Sequence, residues 1–402
     1  MMRFTKTLQS ITCTSALLIA TMSLAGEPVG GGAWKARMRS MLGDVLVLFP
    51  YAFDTGKFND PKNAEVIQSS LQALTQKSDG LKNHVASLKI DPSFPFIAEA
   101  FASDLAFAES TFAQGDSQRS HAQDYLRAAL AKCMMCHTQS ANGPELKLDK
   151  FQSQLSALSP IDRFTALATT RQFDEALSEF DKILDSSKVT KPAASTFDQA
   201  TREALAIVIR VKADPDRALT LIEKISESGA SSAMIQGELK SWKQSVKLWK
   251  AEKPVALNSD QALFDEAKRL IDESKEKLSS LDNYQNSGVE LLRASADLHN
   301  LLSKYPHSSL RAQSYFQLAT VYDLLPGFAI WDLADGYLEA CIEQNPHSAI
   351  AVKCYDRYEN NTTLGYTGSA GTHVPKAVTE HLKKMNELAK PSKAAKPEDP
   401  KK

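Results

Sequence analysis

Residues 132–138 read KCMMCHT, which sets two thiols three positions apart and an imidazole directly after the second. The chain has only five cysteines in 402 residues, so this pairing stands out. C-x-x-C-H is the attachment site of c-type haem. Two thiols must add to the two vinyl groups on one edge of a porphyrin. The next residue must bring an imidazole nitrogen to the iron from one side of the ring. On a helix, Cys133 and His137 are four apart and share a face, with Cys136 one turn from Cys133. Leu126, Leu130, Cys133 and His137 follow a 4-3-4 spacing, so the motif continues an apolar stripe. The expectation is one covalent haem c, with thioethers at Cys133 and Cys136 and His137 as an axial iron ligand.

Other uses of two cysteines fit the pattern less well. A redox C-x-x-C sits at a helix N-terminus after a strand, whereas YLRAALAKCMMCH places this pair late in a helix. A zinc site needs a second pair of ligands at suitable spacing, and no Cys/His pair of that kind lies nearby. A structural disulfide would not need His137.

The N-terminus points to an oxidising compartment, where bacterial c-type haem is attached. Arg3 and Lys6 precede the mostly apolar run ITCTSALLIATMSLA, and small residues at Ser23 and Ala25 precede Gly26. Residues 1–25 therefore read as a secretory signal peptide cleaved after Ala25. The apolar run is too short for a membrane anchor and has no stop-transfer flank. Cys13, behind Thr12, lies too early for a lipoprotein. No later stretch is apolar enough to span a bilayer. The expected location is the periplasm. At 43% hydrophobic and 24% charged residues, the composition is that of an ordinary soluble protein. The net charge of about −3 without the leader is too mild to point to a nucleic-acid or membrane partner.

Four helices must position the motif. The first is WKARMRSMLGDVLVLF, broken near Pro50. The second starts where Asp60 can cap and Pro61 suits the first helical position, and carries Ile67, Leu71, Leu74, Leu81, Val85 and Leu88 as a heptad-like seam. The third starts near Pro95 with Phe101, Leu105 and Phe112. The fourth runs from about Ser117 to Gln139, with Asn142 and Gly143 as a terminator. Short connections favour an up-down-up-down bundle.

These four helices, with C-x-x-C-H near the end of the last, resemble the class II c-type cytochromes, the cytochrome c-prime family. The resemblance covers roughly the first third of the chain beyond the leader. It implies a four-helix-bundle haem domain and an Arg on helix one, followed four residues later by a distal Leu or Met. Arg37 and Met41 stand in that relation, with Met38 where the family often has Gln. In such a bundle the start of helix one lies near the end of helix four. Met41 is thus the expected second axial ligand, with Met38 as the other candidate. His/Met ligation suits electron transfer, whereas a five-coordinate iron would offer a gas pocket gated by Leu42 and Val45.

Beyond about residue 150 the pattern changes to paired helices. Ala176, Leu177, Phe180 and Ile183 recur 42 residues later as Ala218, Leu219, Ile222 and Ile225. KYPHSSLRA (304–312) and QNPHSAIAV (344–352) match at an offset of 40. These helix pairs are similar to tetratricopeptide repeats, with extra residues in LLPGFAIWDLADG. Cys341 and Cys354 flank the second of those turns and would face each other across a hairpin, so export makes a disulfide between them plausible. His307 and His347 occupy equivalent positions, which argues for capping or a solvated face. LGYTGSAGTHVP (364–375) reads as a loop.

The whole is expected to be all-α: a four-helix-bundle haem domain (26–148), helical hairpin repeats (149–252), a tetratricopeptide-like region (253–390) and a disordered charged tail (391–402). No catalytic nucleophile, acid–base pair or second cofactor site stands out, so the chain is not read as an enzyme. The functional expectation is electron transfer, with the repeats docking a protein redox partner. A haem-based gas sensor and a periplasmic scaffold with structural haem stay open beside it.

Overall fold

The computed structural model describes residues 31–83, 91–139, 148, 151–187, 193–279, 287–325, 333–369 and 371–391, with side chains from residue 36 onward. Residues 1–30, which include the expected signal peptide, together with Val85, Leu88, Asn142 and Gly143, residues 326–332 and residues 392–402, lie outside the described residues. The described chain is all-α, with seventeen α-helices and one two-residue β-hairpin. Among the described residues no helix is long and apolar enough to cross a membrane.

Helix α1 spans Gly31–Ala52. It ends two residues past Pro50, near where the sequence places the break. Pro50 falls in the last turn, where few backbone bonds remain to be lost, and Leu48, Phe49 and Ala52 are fully buried around it. A short helix that the sequence reading did not anticipate follows. It is α2 (Thr55–Asn59), capped by Asp54, with Phe58 buried edge-on against Phe112 at 5.3 Å. Asp60 does act as a cap, accepting from the Lys62 N–H at 3.0 Å, but it starts a 3₁₀ turn. The α-helix α3 begins only at Ala64 and ends at Ser78. Gly80 then adopts a left-handed φ of 66°, so the heptad-like seam is interrupted there although Leu81 remains buried. Helices α4 (Ser93–Phe112) and α5 (Arg119–His137) follow.

Polar contacts fix the directions of these helices. Arg37 at the start of α1 donates to the Lys77 and Asp79 carbonyls at the end of α3. Lys82, just past α3, pairs with Glu99 near the start of α4. Lys132 near the end of α5 pairs with Asp104 of α4, and Gln139 reaches Ser93 at 2.9 Å. Each helix is thus antiparallel to the one before it. α5 returns beside α1, where Gln123 and Arg127 donate to the Tyr51 and Ala52 carbonyls at 2.8 and 2.6 Å.

Helices then follow in close succession. They are α6 (Gln152–Ala157), α7 (Pro160–Thr169), α8 (Phe173–Ser187) and α9 (Ala194–Ala206), which continues through a π turn at Ile207–Val211. Next come α10 (Pro215–Ser228), α11 (Ala233–Ala251), α12 (Asp260–Ser279), α13 (Gly288–Lys304) and α14 (Arg311–Leu324). The last are α15 (Leu333–Gln344), α16 (Ala349–Gly365) and α17 (Lys376–Ala389). Ser159 and Asp214 cap α7 and α10 ahead of a first-turn proline, and Ser232 and Ser348 cap α11 and α16. Ala176, Leu177, Phe180 and Ile183 lie on α8, and Ala218, Leu219, Ile222 and Ile225 on α10, all packed in one core. The Gly-rich stretch forms an exposed hairpin, with Thr367 opposite Thr372 and Gly368 opposite Gly371. His347 adopts φ 62° and takes the Leu388 and Lys390 carbonyls at 2.7 Å each, which ties down the end of α17.

Two cores meet at α5. One gathers α1, α3, α4 and α5, and the other runs through α7 to α17. A buried polar chain links the halves. The Arg210 N–H donates to Tyr322 Oη at 3.1 Å, and the Tyr322 O–H donates to His299 Nε2 at 2.6 Å. The His299 Nδ1–H donates to Asp91 Oδ2 at 2.6 Å. Tyr337 O–H and Ser93 N–H donate to Asp91 Oδ1 at 3.0 and 2.9 Å. With His299 neutral every hydrogen of this chain has an acceptor, whereas a proton on Nε2 would leave the Tyr322 O–H without the one it has. Burial accordingly lowers the pKa of His299, although Asp91 opposes the shift. Burial also disfavours the Asp91 carboxylate, but His299 and the Ser93 N–H outweigh it and hold the carboxyl below the usual range.

Candidate haem-attachment site

Cys133, Cys136 and His137 end α5, half-buried, at the junction of the two cores. Cys133 packs against the first core, together with Met38, while Cys136 and Met135 pack against the second. α5 extends this far because RAALAK is rich in good helix formers, and because buried Lys132 anchors it to Asp104. Neither thiol is engaged in a disulfide. Burial pushes both up to about 12, so they stand as neutral thiols.

His137 is oriented from the second half of the chain. Its Nδ1–H donates to the carbonyl of Thr169 at the end of α7. Arg171, two residues on, has a left-handed φ of 66° and donates through Nη1 to the His137 carbonyl at 2.6 Å. The Arg171 guanidinium also lies over the Phe173 ring at 5.1 Å. Burial lowers the pKa of His137, Arg171 adds to the effect, and the Thr169 bond opposes it. A neutral imidazole with Nδ1–H engaged leaves Nε2 as the lone-pair nitrogen, the state in which histidine binds a metal.

The register of α1 against α5 places the methionines. Tyr51 and Ala52 meet Gln123 and Arg127. Both helices rise about 1.5 Å per residue, so ten residues back along α1 matches ten forward along α5. Met41 therefore falls level with Cys133–His137, and Met38 falls level with the end of α5. Met41 is buried beside Leu42 and Val45, and Met38 is half-buried. Arg37, by contrast, is spent on capping α3.

The donor set fits haem c: two unpaired thiols, and one imidazole whose second nitrogen is held by a carbonyl. Two buried polar atoms beside it, Gln139 Oε1 and Thr169 Oγ1, have no hydrogen-bond partner among the described residues. Among the described residues no three His, Cys, Asp or Glu side chains gather to hold a bare metal ion. A porphyrin iron takes four ligands from its ring and asks for one or two side chains.

Far from this site, Cys341 on α15 and Cys354 on α16 have their sulfurs at bonding distance, 2.06 Å, with Cα atoms 6.3 Å apart. The spacing around the turn at 345–348 had put the two positions opposite each other.

Sequence reasoning missed Thr169, Arg171 and the Asp91–His299 pair. Nothing in TTRQF marks a clamp, since its partner is 34 residues away. His299 did leave a signal, because it continues the buried stripe of Leu292, Ser295 and Leu302 on α13. No known family model, curated protein or solved structure matches this chain.

Proposed function

We propose that this chain is an exported monohaem c-type cytochrome that carries electrons in the periplasm. In this reading α1, α3, α4 and α5 form a four-helix-bundle haem domain, and tetratricopeptide-like hairpin repeats behind it dock a protein redox partner. The observation that carries the reading is the state of the motif. Cys133 and Cys136 are unpaired, while His137 has Nδ1 committed to the Thr169 carbonyl and Nε2 left over.

When bound, haem c supplies a one-electron couple that no side chain here could supply. Cys133 and Cys136 hold it covalently, and His137 Nε2 takes one face of the iron. Met41 would take the other, with Met38 as the second candidate. Leu42 and Val45 keep water from that face, and Thr169 and Arg171 fix the imidazole. A filled sixth position leaves nothing for a substrate to bind, which favours transfer over catalysis.

Met41→Leu tests this directly. Removing the sulfur should turn a six-coordinate, carbon-monoxide-insensitive protein into one that binds carbon monoxide. A parent protein that already binds carbon monoxide would instead support gas binding.

A further inference from the structure

A cleft of about 490 Å³ opens between the π turn after α9, the end of α11 with the chain that follows it, and α13. Val211, Trp249, Pro254, Leu257 and Ala296 give it apolar walls. No residue of α5 lines it, so what it binds is independent of the haem reading.

Most charges around the cleft neutralise one another. Arg293 donates to Glu252 at 3.0 and 2.6 Å and to Glu266 at 3.3 Å, with its guanidinium 4.8 Å from the centre of the Trp249 ring. Arg269 holds Glu266 through two further bonds of 2.9 and 2.6 Å. Lys250 pairs with Asp216. Two lining groups of opposite sign are left over. Asp297 on α13 is half-buried, yet among the described residues its carboxyl makes no hydrogen bond and no ion pair. Burial and the charge of Glu266 push this carboxyl up to about 7, while Arg293, Lys304 and Arg269 pull the other way without bonding to it. Lys253, just past α11, is exposed, and among the described residues its ammonium has no acceptor. The two groups line one cleft but stand beyond ion-pair distance of each other. A half-buried carboxylate without a donor is costly, and a ligand that brings one removes the cost.

We propose that this cleft binds a free α-amino acid with an apolar side chain, its ammonium donating to Asp297, its carboxylate accepting from Lys253 and its side chain lying against Trp249, Pro254 and Leu257. Such a ligand carries both missing partners on one carbon and is neutral as a whole, which suits one unpaired acid and one unpaired base. An amine alone would leave Lys253 without an acceptor. A carboxylate alone would add a negative charge beside Asp297 and Glu266. The volume is ample for one amino acid.

Calorimetric titration of the full protein with L-phenylalanine tests it, beside 2-phenylethylamine, which lacks the carboxylate, and 3-phenylpropionate, which lacks the ammonium. The amino acid should bind about tenfold or more tighter than either. Asp297→Asn should remove its advantage over 3-phenylpropionate, and Lys253→Met its advantage over 2-phenylethylamine. Both variants should keep a cooperative melting curve, because neither side chain bonds to the rest of the fold. No saturable binding of L-phenylalanine, equal binding of the three compounds, or an unchanged preference in either variant overturns the proposal.

Discussion

The guanidinium of Arg171 donates to the main-chain carbonyl of His137 at 2.6 Å, across the boundary between the two halves of the molecule. With the Thr169 carbonyl on His137 Nδ1, the turn after α7 grips the last residue of α5 from two sides. The second half of the chain is thus part of what orients the motif histidine.

Arg171→Leu should therefore act in two ways. It leaves the His137 carbonyl without its charged donor, which costs about 1–3 kcal/mol of stability. In the haem-loaded protein it should also shift the reduction potential and broaden the low-spin spectrum, because the imidazole loses its fixed setting. Denaturant unfolding checks the first effect and a spectroelectrochemical titration the second. A change in stability with an unmoved potential would make the contact merely structural.

The link between the halves should be acid-sensitive. The pKa of His299 is lowered in the folded state, so the unfolded chain takes up its proton first. This contribution to stability is complete above the unfolded value of about 6.5 and declines as pH falls below it. Asp91, also lowered, adds a second loss below about 4. His299→Leu removes the first step but strands the Asp91 charge, costing about 3–5 kcal/mol. Unfolding midpoints measured between pH 7.5 and 3.5 (a range spanning both values) should fall in two stages in the parent, and neither stage should remain in His299→Leu, where nothing from His299 opposes the burial of the Asp91 carboxyl.

Much of this architecture could be read in advance, for a physical reason. Helix periodicity, caps and first-turn prolines are local, so α3, α4, α5, α8 and α10 follow from patterns such as Ile67–Leu71–Leu74 or Ser159–Pro160. The motif Cys133–Cys136–His137 is local as well. The break near Pro50 is local too, and the helix ends two residues beyond it, at Ala52. The clamp and the Asp91–His299 link depend on packing between residues 34 and 208 positions apart. No spacing rule reaches that far.

Gly336 on α15 packs closely against Phe96 on α4. A Cβ there would stand 3.0 Å from the Phe96 ring. Gly336→Ala should gain about 1 kcal/mol in helix propensity but lose about 1–3 kcal/mol to overpacking. The expected net is a loss that Phe96→Leu in the same chain recovers. Urea midpoints of the two single variants and the double variant read this out.

The cysteines should separate by chemistry. The haem-free chain without residues 1–25, denatured without reductant, should react through Cys133 and Cys136 alone, since Cys341 and Cys354 are paired. Replacing both Cys341 and Cys354 by Ser should cost about 3 kcal/mol in the loop-entropy picture. Four reactive thiols in the first experiment would exclude the bridge.

The central claim is that Cys133, Cys136 and His137 carry one covalent haem whose other face is closed by Met41. Optical spectra of the full protein, oxidised and reduced, with and without carbon monoxide, test it most directly. The account predicts one haem per chain that resists acid extraction, a low-spin spectrum with a methionine-to-iron band near the red edge, and no response to carbon monoxide. A chain that carries no covalent haem, or a high-spin spectrum that shifts with carbon monoxide, would contradict it.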